Sequence, residues 1–480
     1  MPKRVVRLND EAWEADGAQL AVAVATVQQE LGVTATFPSA VERAARDVSP
    51  RLPELDRTDL PFVTIDPPGA MDLDQALHLE REGDGYVVHY AIADVAAFVD
   101  PGGPIDLEAH ARGETLYGAD SKVPLHPKVL SEGAASLLPE LVRPALLWTI
   151  RLDATGERTS VHVERARVRS TAKLTYEGVQ RQIDDGAVDP MVALLRDIGE
   201  LRLARERDRG GVSLPLPSQE IEVDEDGHWS LTYRSQLPVE LWNAQISLLT
   251  GMSAAALMLE HRVGILRTLP PADPRDLARL RRTAKALHVA WPEGMSYPEF
   301  IRSVDPTTST GAAVLVAATR TLRGSAYVGF DGTLPEQLEH SAIAAPYTHV
   351  TAPLRRLVDR YAGEACVALC AGEPVPEWVR SELTTLPDVM RESARRSNQY
   401  ERSLVDLVEA AVLQEYVGKV FDGVVVAVDE RDPREGKVVI QSPAIEAECV
   451  GSDPLPLGED VKVRLASADL RARLVTFELA

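Results

Sequence analysis

Three aspartates follow a short apolar run early in the chain. In the segment VTIDPPGAMDLDQAL, Asp66, Asp72 and Asp74 lie within nine residues, directly after the strand-like run 62–65. Carboxylates held this close repel one another unless a cation neutralises them. Because the donors are all oxygens, the pattern predicts a hard ion such as Mg2+ or Mn2+. The alternative is a solvated acidic turn, while the spacing excludes a calcium loop of the EF-hand type.

Four further motifs follow this segment in order. They are AIADVAAFVD (91–100), LYGADSKVPLHPKVLSEGAASLLPELVRPAL (116–146), TAKLTYEGV (171–179) and YTHVTAPLRRLVD (347–359). With the aspartate segment, they resemble the RNase II (RNB) family of 3′→5′ exoribonucleases, whose signature is TID followed by D-x-D-D. A series of ordered motifs is more specific than any single one. The chain is therefore identified as a member of that family.

The resemblance implies a metal site in the aspartate segment. Asp66 and Asp72 match metal ligands of the family. Asp74 matches an aspartate that the activity requires, so it is expected to ligate the metal and to position water. Gln75 stands where the family has a fourth carboxylate, and its longer side chain would reach the ion directly or through a water.

Other matched residues are expected to bind the RNA. Tyr176 matches a tyrosine beside the scissile phosphate, against the alternative of a core tyrosine that opens a helix. Arg355 matches the arginine that contacts the terminal phosphate and stabilises the transition state. Arg356 is instead expected to pair with Asp359. Tyr117 matches an aromatic residue that stacks on bases near the 3′ end, where stacking contributes about 1–3 kcal/mol per base.

Two departures from the family pattern concern charge. Gln75 removes one negative charge from the metal site, which predicts weaker metal binding and a Gln75→Asp variant that needs less metal. In PVELWNAQISLLTG, Glu240 keeps the first glutamate of a V-E-E helix and Leu241 replaces the second. Glu240 is the candidate for accepting hydrogen bonds from the terminal ribose hydroxyls. In the late motif, Ala352 and Leu357 replace the usual serine and aromatic residue.

Composition agrees with a cytoplasmic enzyme, and we expect it to be a monomer without an organic cofactor. The chain has 480 residues, enough for two or three domains, and its three cysteines form no zinc spacing. It has no apolar run long enough for a membrane span and no signal-peptide core at its start. The formal net charge of −22 is opposite to that of a typical nucleic-acid binder. A narrow, locally positive path for single-stranded RNA is therefore expected.

The fold class expected is α+β with three parts. Residues 1–57 would form a short helical N-terminal unit, with a cap at Asn9-Asp10 and a second helix capped by Ser39. Residues 58–414 would form an RNB catalytic domain, a mixed sheet surrounded by helices. Residues 415–480 read as five short strands, the pattern of an S1-like OB β-barrel, with Phe421 as its best base-stacking candidate.

The sequence thus predicts a 3′→5′ exoribonuclease that hydrolyses single-stranded RNA to nucleoside 5′-monophosphates with metal assistance. Two alternatives remain open. Gln75, Leu241 and the acidic composition would also suit a catalytically impaired RNA-binding or scaffold protein of the same fold. A phosphohydrolase of small nucleotides is the third interpretation, which the channel-like motifs and the S1-like tail disfavour.

Overall fold

The computed structural model describes residues 17–118, 122–216, 218–223, 229–440 and 445–480, so the cap expected at Asn9-Asp10 lies outside the described residues. The helices of the described part are α1 Gly17–Glu30, α2 Ser39–Asp47, α3 Pro104–Arg112, α4 Tyr176–Asp184, α5 Pro190–Arg209, α6 Pro238–His261, α7 Pro274–Ala286, α8 Tyr297–Ser303, α9 Ser309–Ala318, α10 Leu357–Cys370, α11 Glu377–Arg380 and α12 Leu386–Leu413. Over the same ranges, no helix is long and apolar enough to cross a membrane.

The strands form two barrels and several hairpins. In chain order they are β1 Phe62–Ile65, β2 Gln75–Glu82, β3 Gly85–Ala93, β4 Leu116–Tyr117, β5 Lys122–Val123, β6 Val142–Leu152, β7 Arg158–Leu174, β8 Ser218–Val223, β9 Trp229–Arg234, β10 Val263–Thr268, β11 Ala326–Asp331, β12 Glu339–His340, β13 Ala345–Pro346, β14 Val420–Val428, β15 Glu435–Ile440, β16 Ile445–Val450, β17 Asp460–Asp469 and β18 Leu474–Leu479.

The first barrel closes in the order β1-β2-β3-β6-β7. Strand β1 runs parallel to β7, with Ile65 opposite Leu174, and the other neighbours are antiparallel. Successive side chains of β3 point to opposite faces of the sheet, and each face packs into a different hydrophobic core. Tyr90 lies in one core and Ala91 in the other, so the whole strand is buried. The mixed sheet predicted from the sequence is confirmed. Its closure was not predicted, because it depends on β7 being long enough to pair with both β6 and β1.

Helices α5, α6 and α10 pack around this barrel. The apolar side of α6 supplies Val239, Ile246 and Leu249 to the core that α5 and the barrel share. At Gly251 a side chain would collide with the Tyr347 ring and the Thr348 carbonyl. Glycine therefore lets α6 approach the segment that leads into the late motif.

The last five strands form the second barrel in the order β14-β15-β16-β18-β17, with β16 parallel to β18. This confirms the S1-like OB barrel predicted for the tail. The stacking role predicted for Phe421 is wrong. Phe421 is buried and meets Phe477 edge-to-face at 5.8 Å between ring centroids, so it belongs to the barrel core.

The two N-terminal helices share no core of their own. Val24 and Val27 of α1 pack against α12 and the second barrel, whereas Val41 of α2 packs against the first barrel. The cap predicted at Ser39 is wrong, because α2 begins at Ser39 itself, after Pro38, without a side-chain cap. The proposed boundaries at residues 57 and 414 remain predictions.

Candidate active site

The aspartate segment follows the carboxyl-terminal end of β1, where hydrogen bonds of its backbone fix its position. The Asp66 amide donates to the Leu174 carbonyl (3.1 Å), which extends the parallel pairing of β1 with β7. Leu73 is fully buried, and its amide donates to Ser136 Oγ (3.0 Å). Since a buried anchor separates Asp72 from Asp74, the loop holds these two carboxylates in fixed positions.

Asp74 connects this loop to the late motif. Its carboxylate is completely buried, and it accepts hydrogen bonds from the Leu354 amide and from Arg355 Nε, both at 2.7 Å. Burial raises the pKa of Asp74 to about 7, and Arg355 opposes that rise. Both Asp74 oxygens are thus engaged within the protein. The metal role predicted for Asp74 remains a prediction, and the structure gives it a second role, orienting Arg355.

The late motif itself is held from both sides. Arg356 pairs with Asp359 at 2.5 and 2.9 Å, which confirms that prediction, and Asp359 also accepts from the Ala352 amide (2.8 Å). The Thr115 amide donates to the Arg355 carbonyl (2.9 Å). Asp74 holds the Arg355 guanidinium at Nε, and 39% of the Arg355 side chain is exposed.

Asp66 is the carboxylate whose bonding is least satisfied. Its Oδ2 is buried without a hydrogen-bond partner. Burial raises its pKa to about 6, Arg355 and Lys173 lower it, and Asp72 raises it further. A buried acceptor without a donor is costly unless a ligand completes it. Asp66 is therefore the clearest candidate for contact with a cation.

We expect Asp66→Asn to stabilise the metal-free protein at alkaline pH. Between about pH 4 and pH 6 the folded protein retains a proton on Asp66 that the unfolded chain has released. The free energy of unfolding therefore falls as the pH rises through this window and stays low above it. Asparagine removes the effect, with a gain of about 2 kcal/mol at pH 8.

Urea denaturation in a chelator at pH 4 and pH 8 measures this gain. The exposed Asp84 provides the control variant Asp84→Asn, which should match wild type at both values. An Asp66→Asn protein no more stable than wild type at pH 8 would contradict the buried, unsatisfied carboxylate.

Sequence reasoning missed Lys122. Its ammonium lies 2.6 Å from Asp72 Oδ1 and 2.9 Å from Glu132 Oε1. Burial opposes its charge, but the two carboxylates outweigh that effect and raise its pKa. Lys122 stands directly opposite Tyr117 in the β4–β5 hairpin. The motif 116–146, read as a linear pattern, contains no signal for that pairing, which depends on the register of β4 and β5.

Gln75 lies at the start of β2 and is used as a donor. Its Nε2 donates to the Thr351 carbonyl (2.5 Å), which joins β2 to the late motif. An aspartate at position 75 would lose this hydrogen bond, because its carboxylate oxygen and the Thr351 carbonyl oxygen are both acceptors. The metal role predicted for Gln75 remains a prediction, but this contact favours a structural reason for the amide.

Tyr117 and Tyr176 come from different elements, and both lie near Arg355 and the aspartates. The Tyr117 phenol hydrogen-bonds with Arg355, and burial raises its pKa. Tyr176 opens α4 after the capping Thr175, and its hydroxyl accepts from Asn243 Nδ2 (3.2 Å). Burial and then Asp66 raise the pKa of Tyr176 to about 12. Both phenols therefore stay neutral beside the carboxylates.

Glu240 lies at the first turn of α6 and already has two partners. Its Oε2 accepts from the Leu237 amide (2.6 Å), and its Oε1 pairs with Arg234 (3.0 Å). The contact with the Leu237 amide caps the helix. Contact with ribose remains a prediction that would require Glu240 to share these oxygens. Leu241 points outward, with 39% of its surface exposed.

The donor set fits a divalent ion held by few protein ligands. Among the described residues, no three His, Cys, Asp or Glu side chains are grouped to hold a metal. Mg2+ usually binds through one or two carboxylates, with waters and substrate phosphates completing the shell. Asp66, with its unsatisfied oxygen, and Asp72 meet that requirement. Arg355, Tyr117 and Tyr176 lie close to these carboxylates.

Two family profiles match the chain. The profile described as the RNB domain matches residues 55–366, and that described as the RNase II-type exonuclease C-terminal S1 domain matches residues 419–480.

Curated relatives are larger proteins. Ribonuclease R of Escherichia coli (strain K12) is 27% identical over 446 residues, which cover 86% of this chain and 54% of that protein. The probable exosome complex exonuclease RRP44 of Caenorhabditis elegans is 32% identical over 327 residues, which cover 64% of this chain and 34% of that protein. The chain thus spans between a third and just over half of their length.

Solved structures share the fold. The apo form of Mycoplasma genitalium RNase R matches with a TM-score of 0.86 and 20% identity, over 96% of this chain and 78% of that one. The same RNase R in complex with ribose methylated single-stranded RNA gives the same values. Yeast Ssd1, a pseudonuclease, matches with a TM-score of 0.67 and 15% identity, over 92% of this chain and 57% of that one.

Proposed function

The chain belongs to the RNB family, and from this premise we propose that it is a 3′→5′ exoribonuclease that hydrolyses single-stranded RNA to nucleoside 5′-monophosphates. One observation carries the proposal: buried Asp74 holds Arg355 by its Nε, beside Asp66 and Asp72. Hydrolysis of a phosphodiester needs cationic groups fixed around the phosphate before the reaction. The buried Asp74 carboxylate would orient Arg355 toward a phosphate in a nuclease, whereas a scaffold protein would not need this orientation.

The proposed cofactor is Mg2+ or Mn2+, held by Asp66 and Asp72. When bound, the ion would supply Lewis-acid stabilisation of the phosphate and a more acidic water. Arg355 would donate its terminal nitrogens to the phosphate, because Asp74 already fixes its Nε. Tyr176, held by Asn243, would contact the phosphate through its hydroxyl. We further propose that the protein acts as a cytoplasmic monomer without an organic cofactor.

Single-stranded RNA is the proposed substrate. A likeness in fold to an RNase R solved with single-stranded RNA supports it, as does the grouping of Tyr117 with Arg355 at one site. The presence of all three aspartates together with Arg355 supports an active enzyme over a scaffold.

A 5′-labelled oligoribonucleotide incubated with Mg2+ or Mn2+ tests the proposal. We expect a ladder that shortens to a short end product. Intact RNA with retained binding would favour the scaffold. Mononucleotide turnover without binding or cleavage of the oligomer would favour the small-substrate enzyme.

Replacing Tyr117 by Ala should lengthen the final product by several nucleotides with a modest loss of rate. The reason is that the ring is proposed to stack on a base near the 3′ end, a contact of about 1–3 kcal/mol. Tyr117→Phe is the matched control, since it keeps the ring and loses only the hydroxyl that meets Arg355. Denaturing gels measure both products. An unchanged end product in the Ala variant would place the stacking platform elsewhere.

A further inference from the structure

The ammonium of Lys122 lies beside a carboxylate of the proposed metal site. We propose that Lys122 is an internal competitor of the divalent ion: it holds Asp72 in the metal-free protein, releases it when the ion binds, and so sets the metal concentration at which the site fills. This inference rests on the metal site of the proposed function and concerns Lys122, to which the sequence motifs assigned no role.

The contact distances support direct competition. Lys122 Nζ lies 2.6 Å from Asp72 Oδ1, and both side chains are largely buried, with 21% and 11% exposed. Mg2+ binds carboxylate oxygen at about 2.0–2.1 Å. An ion at Asp72 would then stand within a few ångströms of the ammonium, where like charges repel strongly in a partly buried site. Asp72 therefore cannot hold the ion and the intact Lys122 contact equally well.

Glu132 gives the released ammonium a second partner. Its Oε1 lies 2.9 Å from Lys122 Nζ, and 21% of its side chain is exposed. When Asp72 turns to the ion, Lys122 can remain paired with Glu132. The lysine thus has two partners in the metal-free protein and one in the loaded protein.

The hairpin links this exchange to the RNA path. Lys122 and Tyr117 are directly opposite each other in the β4–β5 pair, and Tyr117 meets Arg355. The β4–β5 pair therefore carries both the Lys122 ammonium and the Tyr117 ring that is proposed to stack on a base. The Lys122 exchange takes place next to the group that would hold the 3′ end.

Mn2+ binding to the RNA-free full chain, measured by the resonance signal of free Mn2+, tests the proposal without any turnover. Lys122→Met should bind Mn2+ about five- to tenfold more tightly than wild type, the effect of removing one partly buried ion pair. Glu132→Gln should bind it a few-fold more weakly. Because Glu132 acts through Lys122, Glu132→Gln should change nothing in the Lys122→Met background.

Lys128 provides the matched control. It is an exposed lysine of the same segment, and Lys128→Met removes the same charge without touching Asp72. Equal tightening in Lys128→Met, or unchanged affinity in Lys122→Met, would overturn the proposal. Lys122→Gln repeats the test if the Met variant does not fold. RNA cleavage by wild type is assayed separately. If wild type cleaves RNA but Lys122→Met binds Mn2+ with unchanged affinity, only the competitor role of Lys122 is refuted. If wild type leaves the RNA intact, the proposed function is refuted.

Discussion

Replacing Asp74 by Asn is expected to reduce RNA cleavage by about three orders of magnitude while leaving RNA binding largely intact. Asparagine can still accept from the Leu354 amide with its oxygen. Its NH2 group would then face Arg355 Nε, so that two donors meet where a carboxylate now accepts. Arg355 loses its orientation at the phosphate, whereas the surfaces that bind the rest of the RNA are unchanged.

Single-turnover cleavage of 5′-labelled RNA and fluorescence anisotropy of the same RNA measure the two effects. Asp84→Asn, an exposed substitution of the same type, controls for general damage. Equal losses of binding and cleavage would show that Asp74 serves the RNA path rather than the reacting phosphate.

Removing Arg355 should cost both activity and stability. In Arg355→Ala the completely buried Asp74 carboxylate loses its counter-charge, and breaking such a pair costs about 3–5 kcal/mol. Cleavage should fall by two orders of magnitude or more, since one preorganised donor at a phosphate is worth about that much. Adding Asp74→Asn to Arg355→Ala should recover most of the stability and none of the activity.

Urea denaturation of the four proteins in this double-mutant cycle measures the coupling. Arg355→Lys is the matched control for charge: it should keep most of the stability and remain slow, because an ammonium cannot hold Asp74 and fork to a phosphate as a guanidinium does. If Asp74→Asn and Arg355→Ala added their stability losses, the two side chains would not form the proposed unit.

Much of the fold followed from local sequence patterns. The five strands of the tail and the Arg356–Asp359 pair arise from local patterns and short spacing, and they lie where the sequence predicted. The errors share a cause. Phe421 and Ser39 were assigned from residue type, and their environment decided otherwise: a barrel core encloses Phe421, and Pro38 precedes the helix start at Ser39.

The residues of the candidate site were proposed from motifs, but the contacts between them could not be. Asp66, Asp72, Asp74 and Arg355 were found by motif, whereas the Asp74–Arg355 pair joins residues 281 positions apart. Lys122 and the Gln75–Thr351 bond also depend on which loops meet at the barrel end. Linear spacing gives no information about such contacts, since they are set by barrel closure and hairpin register.

We propose that this site removes single nucleotides from the 3′ end of RNA. The most direct measurement uses single-stranded RNA with a labelled phosphate at its last phosphodiester bond, incubated with Mg2+ or Mn2+. We expect the label to leave first, as a nucleoside 5′-monophosphate, before the 5′ part shortens further, and Asp74→Asn to block its release. Label that stays in full-length RNA, or that appears in oligonucleotides or as inorganic phosphate, would refute a 3′→5′ exoribonuclease.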